Sequence, residues 1–146
     1  TCNYDSNYSF NGKQVEPKII NDYKYNAVKK LEKYSSAIRI IKKSMFKVVN
    51  EKKGTAFSSR SDDFTFSGKT GTSQVRRITV AERESDDFRK KEIEWEKRDH
   101  ALFVGFMPHD KPKYAVSVVI EHGGSGAKTA APIAKQIFQF INKNNI

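Results

Sequence analysis

The sequence predicts an α+β fold in which helices pack on an antiparallel sheet, because it contains one tight hairpin and two amphipathic stripes. The hairpin joins an apolar run at 101–106 to an alternating run at 114–121 through a turn with two prolines. Strands connected by so few residues must be antiparallel. The stripes at 36–50 and 132–142 have the three- and four-residue spacing of helices that cover one face of a sheet.

The first helix is predicted at 36–50, with Ser35 as its N-cap. Lysine and arginine side chains occupy the remaining surface of the helix. Gly54 suits the chain reversal that follows the helix. The apolar stripe that should face the sheet consists of Ala37, Ile38, Ile41, Met45, Val48 and Val49.

Three segments have the composition of strands. Strand character begins near Phe64 and continues through Val75, and the glycines within it are costly unless something approaches the backbone closely. The apolar run at 101–106 is too short for most helices, so we expect a central strand buried on both faces. The adjacent strands are predicted to be residues 69–78, 101–107 and 114–121.

The final helix is predicted to open at Pro132, which suits the first helical turn because it has no N–H to leave unpaired. Its apolar stripe is long enough to cover one face of the sheet. The stripe consists of Ile133, Ala134, Ile137, Phe138 and Ile141.

The chain of 146 residues is interpreted as a single fragment of one domain. Residues 1–12 form a loose lead-in, and residues 76–99 carry eight basic and eight acidic side chains, which predicts an exposed insertion pinned by Trp95. No apolar run approaches the roughly 20 residues of a transmembrane helix. The start has no initiator Met and no signal-peptide pattern, so we expect a removed leader or an excised piece.

The net charge of +10 raises the alternative of a non-enzymatic basic module that binds an anionic polymer. Residues 1–60 contain 13 Lys and Arg against 5 Asp and Glu, whereas residues 61–146 contain 14 against 12. Lysines scattered through a helical pattern indicate a solvated face. Phe103 and Phe106 lie in a strand too apolar to be a stacking platform, so nucleic acid is not expected as a partner.

Residues 68–70 superficially match the end of a phosphate-binding P-loop. The match fails because Asp63 stands where a P-loop requires glycine. A P-loop also needs a helix after its Lys-Thr pair, whereas strand residues follow here. Nucleotide binding is therefore excluded.

The same residues have a different chemistry when they are placed on a strand. Lys69 offers a fixed positive charge, the hydroxyls of Thr70 and Thr72 share one face of the sheet, and Gly71 leaves the strand edge open. An extended anionic peptide could pair with such an edge while its carboxylate meets the lysine and the hydroxyls.

The residues around this motif make it specific. The runs at 41–50, 54–56 and 67–75 resemble, in order and spacing, the approach to the third motif of class B penicillin-binding proteins. The resemblance covers 11–140, and the charged insertion with Trp95 looks like alphaproteobacterial examples. Downstream segments are similar to the elongation type of this family, penicillin-binding protein 2: 99–106, Pro108, Pro112, 114–121, His122-Gly123-Gly124 and 131–134.

This resemblance implies a peptidoglycan D,D-transpeptidase at the periplasmic face of the bacterial inner membrane, anchored by a missing N-terminal segment. In the family, a serine of an S-x-x-K motif attacks the penultimate D-Ala carbonyl of a stem peptide, and an amine from a second strand resolves the acyl-enzyme. The implied partners are stem peptides ending in D-Ala-D-Ala, β-lactam antibiotics and cell-elongation membrane proteins. Neither a cofactor nor a metal is implied.

The resemblance also assigns roles to individual residues. Lys69 would hold the hydrogen-bond network and the electrostatics of the site, and the Thr72 N–H would supply half of the oxyanion hole. Thr70 and Thr72 would bind the terminal carboxylate of the substrate or of a β-lactam. The implied substrate-binding residues are Thr70, Gly71, Thr72, Ser73 and Gln74.

Two segments match the S-x-x-K and S-x-N patterns of the first and second motifs of the family, but we do not assign either segment to the active site. Ser44-Met45-Phe46-Lys47 spells S-x-x-K, but Ser44 falls on the side of the first helix opposite the apolar stripe. Ser9-Phe10-Asn11 spells S-x-N in what should be a loop. The nucleophile and the general base are expected upstream of Thr1, so the fragment is expected to be inactive alone.

The remaining candidate residues are expected to have structural roles or to lie at the rim of the substrate cleft. His100 is expected to be a structural hydrogen-bonding residue, His109 to be solvated in a turn, and His122 to lie beside two glycines at the end of the last strand. The three histidines and Cys2 are too scattered for a metal site. A β-lactamase of the same fold is the nearest enzymatic alternative, but the hairpin and the residues after it are more similar to penicillin-binding proteins.

Overall fold

The computed structural model describes residues 34–76 and 93–146. The elements are α1 (Ser35–Asn50), β1 (Ser67–Ser73), β2 (His100–Met107), β3 (Tyr114–Ile120) and α2 (Ala131–Lys143), with 3-10 turns at Phe57–Ser59 and Trp95–Lys97 and a π-helical turn at Gly126–Ala130. The predicted lead-in at 1–12 and most of the predicted insertion lie outside the described residues.

The strands form an antiparallel sheet in the order β1-β2-β3. Thr70 lies opposite Phe103, which lies opposite Val118, so β2 is central as predicted. The predicted first strand was wrong at both ends, because β1 begins at residue 67 and ends at residue 73. The N–H of Val75 instead faces the Asp99 carboxylate at 3.4 Å, which takes this residue out of the ladder.

The core lies on one face of the sheet. Phe66 has ring-centroid distances of 6.3 Å to Phe103 and 5.2 Å to Phe138, and all three rings are fully buried. On the opposite face Val104 is 48% exposed and Val119 is 57% exposed. The expectation that β2 is buried on both faces was confirmed only near its end, because Phe106 shares the face of Val104 and is 1% exposed whereas Val104 is not buried.

Burial along α1 is concentrated at its C-terminal end. Val49 is fully buried and Val48 packs against the core, but Ile41, a member of the predicted stripe, is 57% exposed. The predicted N-cap was also wrong: Ser35 is the first helical residue and Tyr34 occupies the cap position without a side-chain hydrogen bond. The helix is thus positioned by packing at its end and not by a capping side chain.

Helix α2 continues directly from the π-helical turn that precedes it. Pro132 lies in its first turn as predicted, although the helical path already begins at residue 126. Ala134 and Phe138 are buried against the sheet, whereas Ile137, expected in the same stripe, is 39% exposed. Neither helix within the described ranges has the length and apolarity needed to cross a bilayer.

Candidate functional site

Strand β1 carries the predicted motif along the edge of the described sheet, with β2 as its partner. Thr70 and Thr72 lie opposite Phe103 and Ala101, so their side chains share the core-bearing face, as expected for alternate residues. Lys69 belongs to the other face. The two threonine side chains and the lysine side chain therefore leave β1 on opposite faces of the sheet.

The Lys69 side chain turns toward that edge. It is exposed, and its Nζ donates a hydrogen bond of 2.6 Å to the carbonyl oxygen of Thr70. A carbonyl that bonds a lysine side chain is directed away from the ladder with β2, so it lies on the side of β1 where the described residues place no further strand. Backbone groups of alternate residues point the same way in an antiparallel strand, which places the N–H of Thr72 on the unpaired side too.

The Thr70 hydroxyl has a partner that sequence reasoning missed. Its Oγ1 lies 2.9 Å from Oγ1 of Thr55, which sits in the loop after α1. The Gly54-Thr55-Ala56 tripeptide formed part of the resemblance described above, but no local pattern indicates a contact between residues 15 positions apart.

The loop that holds Thr55 is clamped to the end of α1. A Cβ added at Gly54 would overlap the carbonyl oxygens of Lys47 and Val48, so a glycine is needed for this close approach. The Ala56 N–H donates to the Val48 carbonyl at 3.0 Å. The prediction that Gly54 supports the chain reversal is consistent with this geometry.

Glycines in and next to β1 are needed where another part of the chain approaches the strand closely. A Cβ added at Gly68 would overlap the Phe103 ring. Gly126 approaches from the π-helical turn, and a Cβ there would overlap the Gly71 carbonyl oxygen and lie 2.5 Å from that of Leu102. The motif is therefore in direct backbone contact with the start of the last helical segment, through a glycine that sequence reasoning did not single out.

The last two predicted substrate-binding residues are not equivalent. Ser73 is the final residue of β1 and lies opposite His100. Gln74 is exposed and lies beyond the strand. Gln74 thus lies just past the end of the ladder with β2, and the role of both residues in substrate binding stays a prediction.

His109 is not the solvated turn residue that the sequence predicted. Its Nδ1 is 2.7 Å from the fully buried Oγ of Ser67, and its ring lies 4.6 Å from that of Phe46. Burial, followed by the nearby positive charge of Lys42, lowers the pKa of His109 below its usual value, while Asp110 acts in the opposite direction. His109 thus links the turn after β2 to the first residue of β1.

His100 and His122 form a second cluster at the far end of β2. The His122 N–H donates to His100 Nδ1 at 3.0 Å, which agrees with the structural role expected for His100. Trp95, expected to pin the insertion, is 59% exposed, and its ring centroid lies 4.6 Å from that of His122. Trp95 therefore contacts a half-buried histidine while its own ring stays exposed, and its role in pinning the insertion stays a prediction.

The formal S-x-x-K match lies on the surface of α1. Ser44 is exposed, and Lys47 forms an exposed ion pair of 3.5 Å with Glu51. Phe103 and Phe106 are 0% and 1% exposed, so neither can stack on a nucleic-acid base. In residues 34–76 and 93–146, no three His, Cys, Asp or Glu side chains come together as a metal site would require.

Comparison with known proteins identifies the family. The profile of the penicillin binding protein transpeptidase domain matches residues 7–139. The chain belongs to this family. The predicted recognition and fold class are thereby confirmed, and the β-lactamase and basic-module alternatives are not supported.

Curated relatives are full-length enzymes of which this chain matches a part. It is 35% identical over 100 residues to the peptidoglycan D,D-transpeptidase MrdA of Haemophilus influenzae, covering 68% of this chain and 15% of the relative. It is 38% identical over 87 residues to MrdA of Acinetobacter baumannii, covering 60% and 12%. The chain thus spans less than a sixth of the length of these transpeptidases.

Solved structures show the same fold. The penicillin-binding protein PBP2 of Helicobacter pylori, in complex with MreC, has a TM-score of 0.65 at 27% identity, covering 81% of this chain and 20% of that one. PBP2 of Pseudomonas aeruginosa, in complex with WCK 5153, has a TM-score of 0.52 at 34% identity, covering 71% and 19%.

Proposed function

We propose that this chain provides the substrate-binding strand of a peptidoglycan D,D-transpeptidase that cross-links stem peptides and is acylated by β-lactams. The observation that carries the proposal is the unpaired side of β1, where the Lys69 ammonium bonds the Thr70 carbonyl. The Thr70 and Thr72 side chains flank the same edge. Family membership supplies the reaction class.

The edge suits a stem peptide that ends in D-Ala-D-Ala. An extended peptide can pair with the backbone of β1 on the side away from β2, as in other cases of strand addition. Its terminal carboxylate then accepts hydrogen bonds from the threonine hydroxyls beside the positive charge of Lys69. The Thr72 N–H would donate to the oxyanion that forms when the penultimate carbonyl is attacked.

The nucleophile is proposed to lie in another part of a longer polypeptide. Ser67 is the serine of this chain that directly precedes the motif, but it is 0% exposed and bonded to His109. Ser44 is on the solvent side of α1. Neither of these serines combines an accessible hydroxyl with the edge of β1. Ser73 is exposed at the end of β1, but Arg76 stands where S-x-x-K requires lysine, so we expect the 146-residue chain to be inactive by itself.

The location and partners follow from this reaction. Peptidoglycan cross-linking occurs outside the inner membrane, so the complete protein is proposed to act at its periplasmic face. The related PBP2 of Helicobacter pylori is in complex with MreC, and that of Pseudomonas aeruginosa with WCK 5153. We propose a cell-elongation membrane protein as a partner of the complete protein, and we propose β-lactams as its ligands because the chain belongs to the penicillin-binding family.

Labelling of the complete protein with a fluorescent penicillin tests the proposal. A stoichiometric adduct is expected on denaturing electrophoresis, and a peptide ending in D-Ala-D-Ala should slow its formation, whereas the same peptide ending in an amide should compete less. A well-folded complete protein that forms no adduct would show that the activity is something else.

A further inference from the structure

We infer that Thr55 is a positioning residue for carboxylate recognition, because its hydroxyl orients that of Thr70. The inference rests on the proposed function, since it concerns how the edge of β1 receives the substrate carboxylate. Its starting point is the 2.9 Å separation of the two Oγ1 atoms.

The chemistry of two hydroxyls explains the orientation. Each threonine hydroxyl has one proton to donate and can also accept. If Thr55 donates to Thr70, the Thr70 proton remains available for an anion on the substrate side. If Thr70 donates to Thr55, that proton is used within the protein. A carboxylate next to Thr70 favours the first arrangement, because a hydroxyl that accepts a hydrogen bond becomes a stronger donor.

Thr55 can impose this arrangement because its backbone is fixed on both sides. Gly54 packs against the last carbonyls of α1, and Ala56, which is fully buried, donates its N–H to Val48. A hydroxyl held this way loses little additional freedom when it bonds Thr70. The site is thus assembled from the end of α1 and the middle of β1 before a ligand arrives.

The contact has little reason to be maintained for stability alone. Thr55 is exposed and Thr70 is half-buried, so water can replace either partner if the bond is lost. The same Thr70 also accepts the Lys69 ammonium at its carbonyl oxygen. The Thr55 hydroxyl and the Lys69 ammonium therefore both contact the residue that is proposed to meet the carboxylate.

The test measures acylation of the complete protein by a β-lactam and by the neutral methyl ester of the same β-lactam. Thr55→Val keeps the side-chain shape and removes the hydroxyl, Thr55→Ser keeps the hydroxyl, and Thr65→Val changes a second exposed threonine as a matched control. Thr55→Val should lower the second-order rate with the carboxylate ligand by about tenfold, because the Thr70 hydroxyl is no longer held as a donor to the carboxylate. Thr55→Ser and Thr65→Val should stay near the wild-type rate.

The ester ligand distinguishes a loss of carboxylate recognition from a general loss of reactivity or folding. With the ester, Thr55→Val should react about as fast as the wild type, because no carboxylate remains to be recognised. In a Thr70→Val background, adding Thr55→Val should have no further effect on the carboxylate ligand. If Thr55→Val fails to fold, Thr55→Ala serves as the second variant that lacks the hydroxyl.

Three results would overturn the inference: an unchanged rate for the hydroxyl-free variant with the carboxylate ligand, an equal loss with the ester, or additive losses in the double variant. A wild-type protein that forms no adduct would instead show that the proposed function is wrong, and this inference would fall with it. The two failures are therefore distinct.

Discussion

Gly126 lies directly on the backbone of Gly71, so that the glycine-rich turn before α2 and the motif strand are in contact without any side chain between them. A Cβ at Gly126 would overlap the carbonyl oxygen of Gly71, and backbone cannot move aside as the tip of a side chain can. The last helical segment therefore sets how far β1 can shift toward the core.

Substituting these two glycines should have unequal effects. Gly126→Ala forces apart two backbones and is expected to lower the free energy of unfolding by about 2 to 3 kcal/mol. At Gly71 the atoms nearest to an added Cβ belong to the Leu102 side chain, with its Cβ at 3.2 Å, so Gly71→Ala should be less destabilising. Urea unfolding of both variants measures the difference. Equal losses, or a larger loss at Gly71, would contradict the close-contact account.

The titration of His109 makes the free energy of unfolding depend on pH. Burial and Lys42 lower the pKa of His109 in the folded protein below the usual value of 6.5, so the unfolded chain takes up a proton first as the solution is acidified. The free energy of unfolding is therefore unaffected by His109 above pH 6.5, and it decreases as the pH falls below that value because protonation favours the unfolded chain.

The matching variant is His109→Gln, which can still bond Ser67 but does not titrate. The free energy of unfolding should fall less between pH 7.5 and pH 5 in this variant than in the wild type. Parallel pH profiles for the two proteins would show that His109 does not titrate in this range or is not coupled to folding.

Local patterns were sufficient to predict the sheet and its order. The tight connection between β2 and β3 and the apolar character of residues 101–106 are properties of neighbouring residues, and both strands were found where the sequence predicted them. The pairing of Thr70 and Thr72 on one face follows from the two-residue period of any strand.

The predictions failed where a contact joins distant parts of the chain. Ser67 and His109 are 42 positions apart, and Thr55 and Thr70 are 15 positions apart. Neither pair has a spacing that local periodicity can detect, because each depends on how a loop packs on β1. Ile41 has the helical spacing of a core residue but is exposed, because periodicity shows which side of a helix is apolar and not where along the helix the packing ends.

Replacing Lys69 should affect function far more than folding. Its ammonium is exposed and bonds a neighbouring carbonyl, so Lys69→Ala is expected to shift the melting midpoint by only a few degrees. Acylation of the complete protein should fall by about a hundredfold, because the cation would no longer act on the carboxylate and the hydroxyl network.

Lys143→Ala is the matched control for this experiment, since it removes an exposed lysine at the last residue of α2. Stopped-flow measurement of the reaction with a fluorescent β-lactam gives the acylation rates. A well-folded Lys69→Ala protein that reacts at the wild-type rate would show that the Lys-Thr-Gly tripeptide has no part in the chemistry.

The 146-residue chain alone should form no covalent adduct with penicillin, despite its formal S-x-x-K sequence. Ser44 and Lys47 share one side of α1, as residues three positions apart do, but that side is in water and Lys47 pairs with Glu51. An exposed serine hydroxyl without a general base or oxyanion donors is a weak nucleophile. Intact mass measurement after incubation with penicillin should therefore show the unmodified chain. A stoichiometric mass increase that disappears in Ser44→Ala would place the nucleophile on α1 and require a different assignment of the motifs.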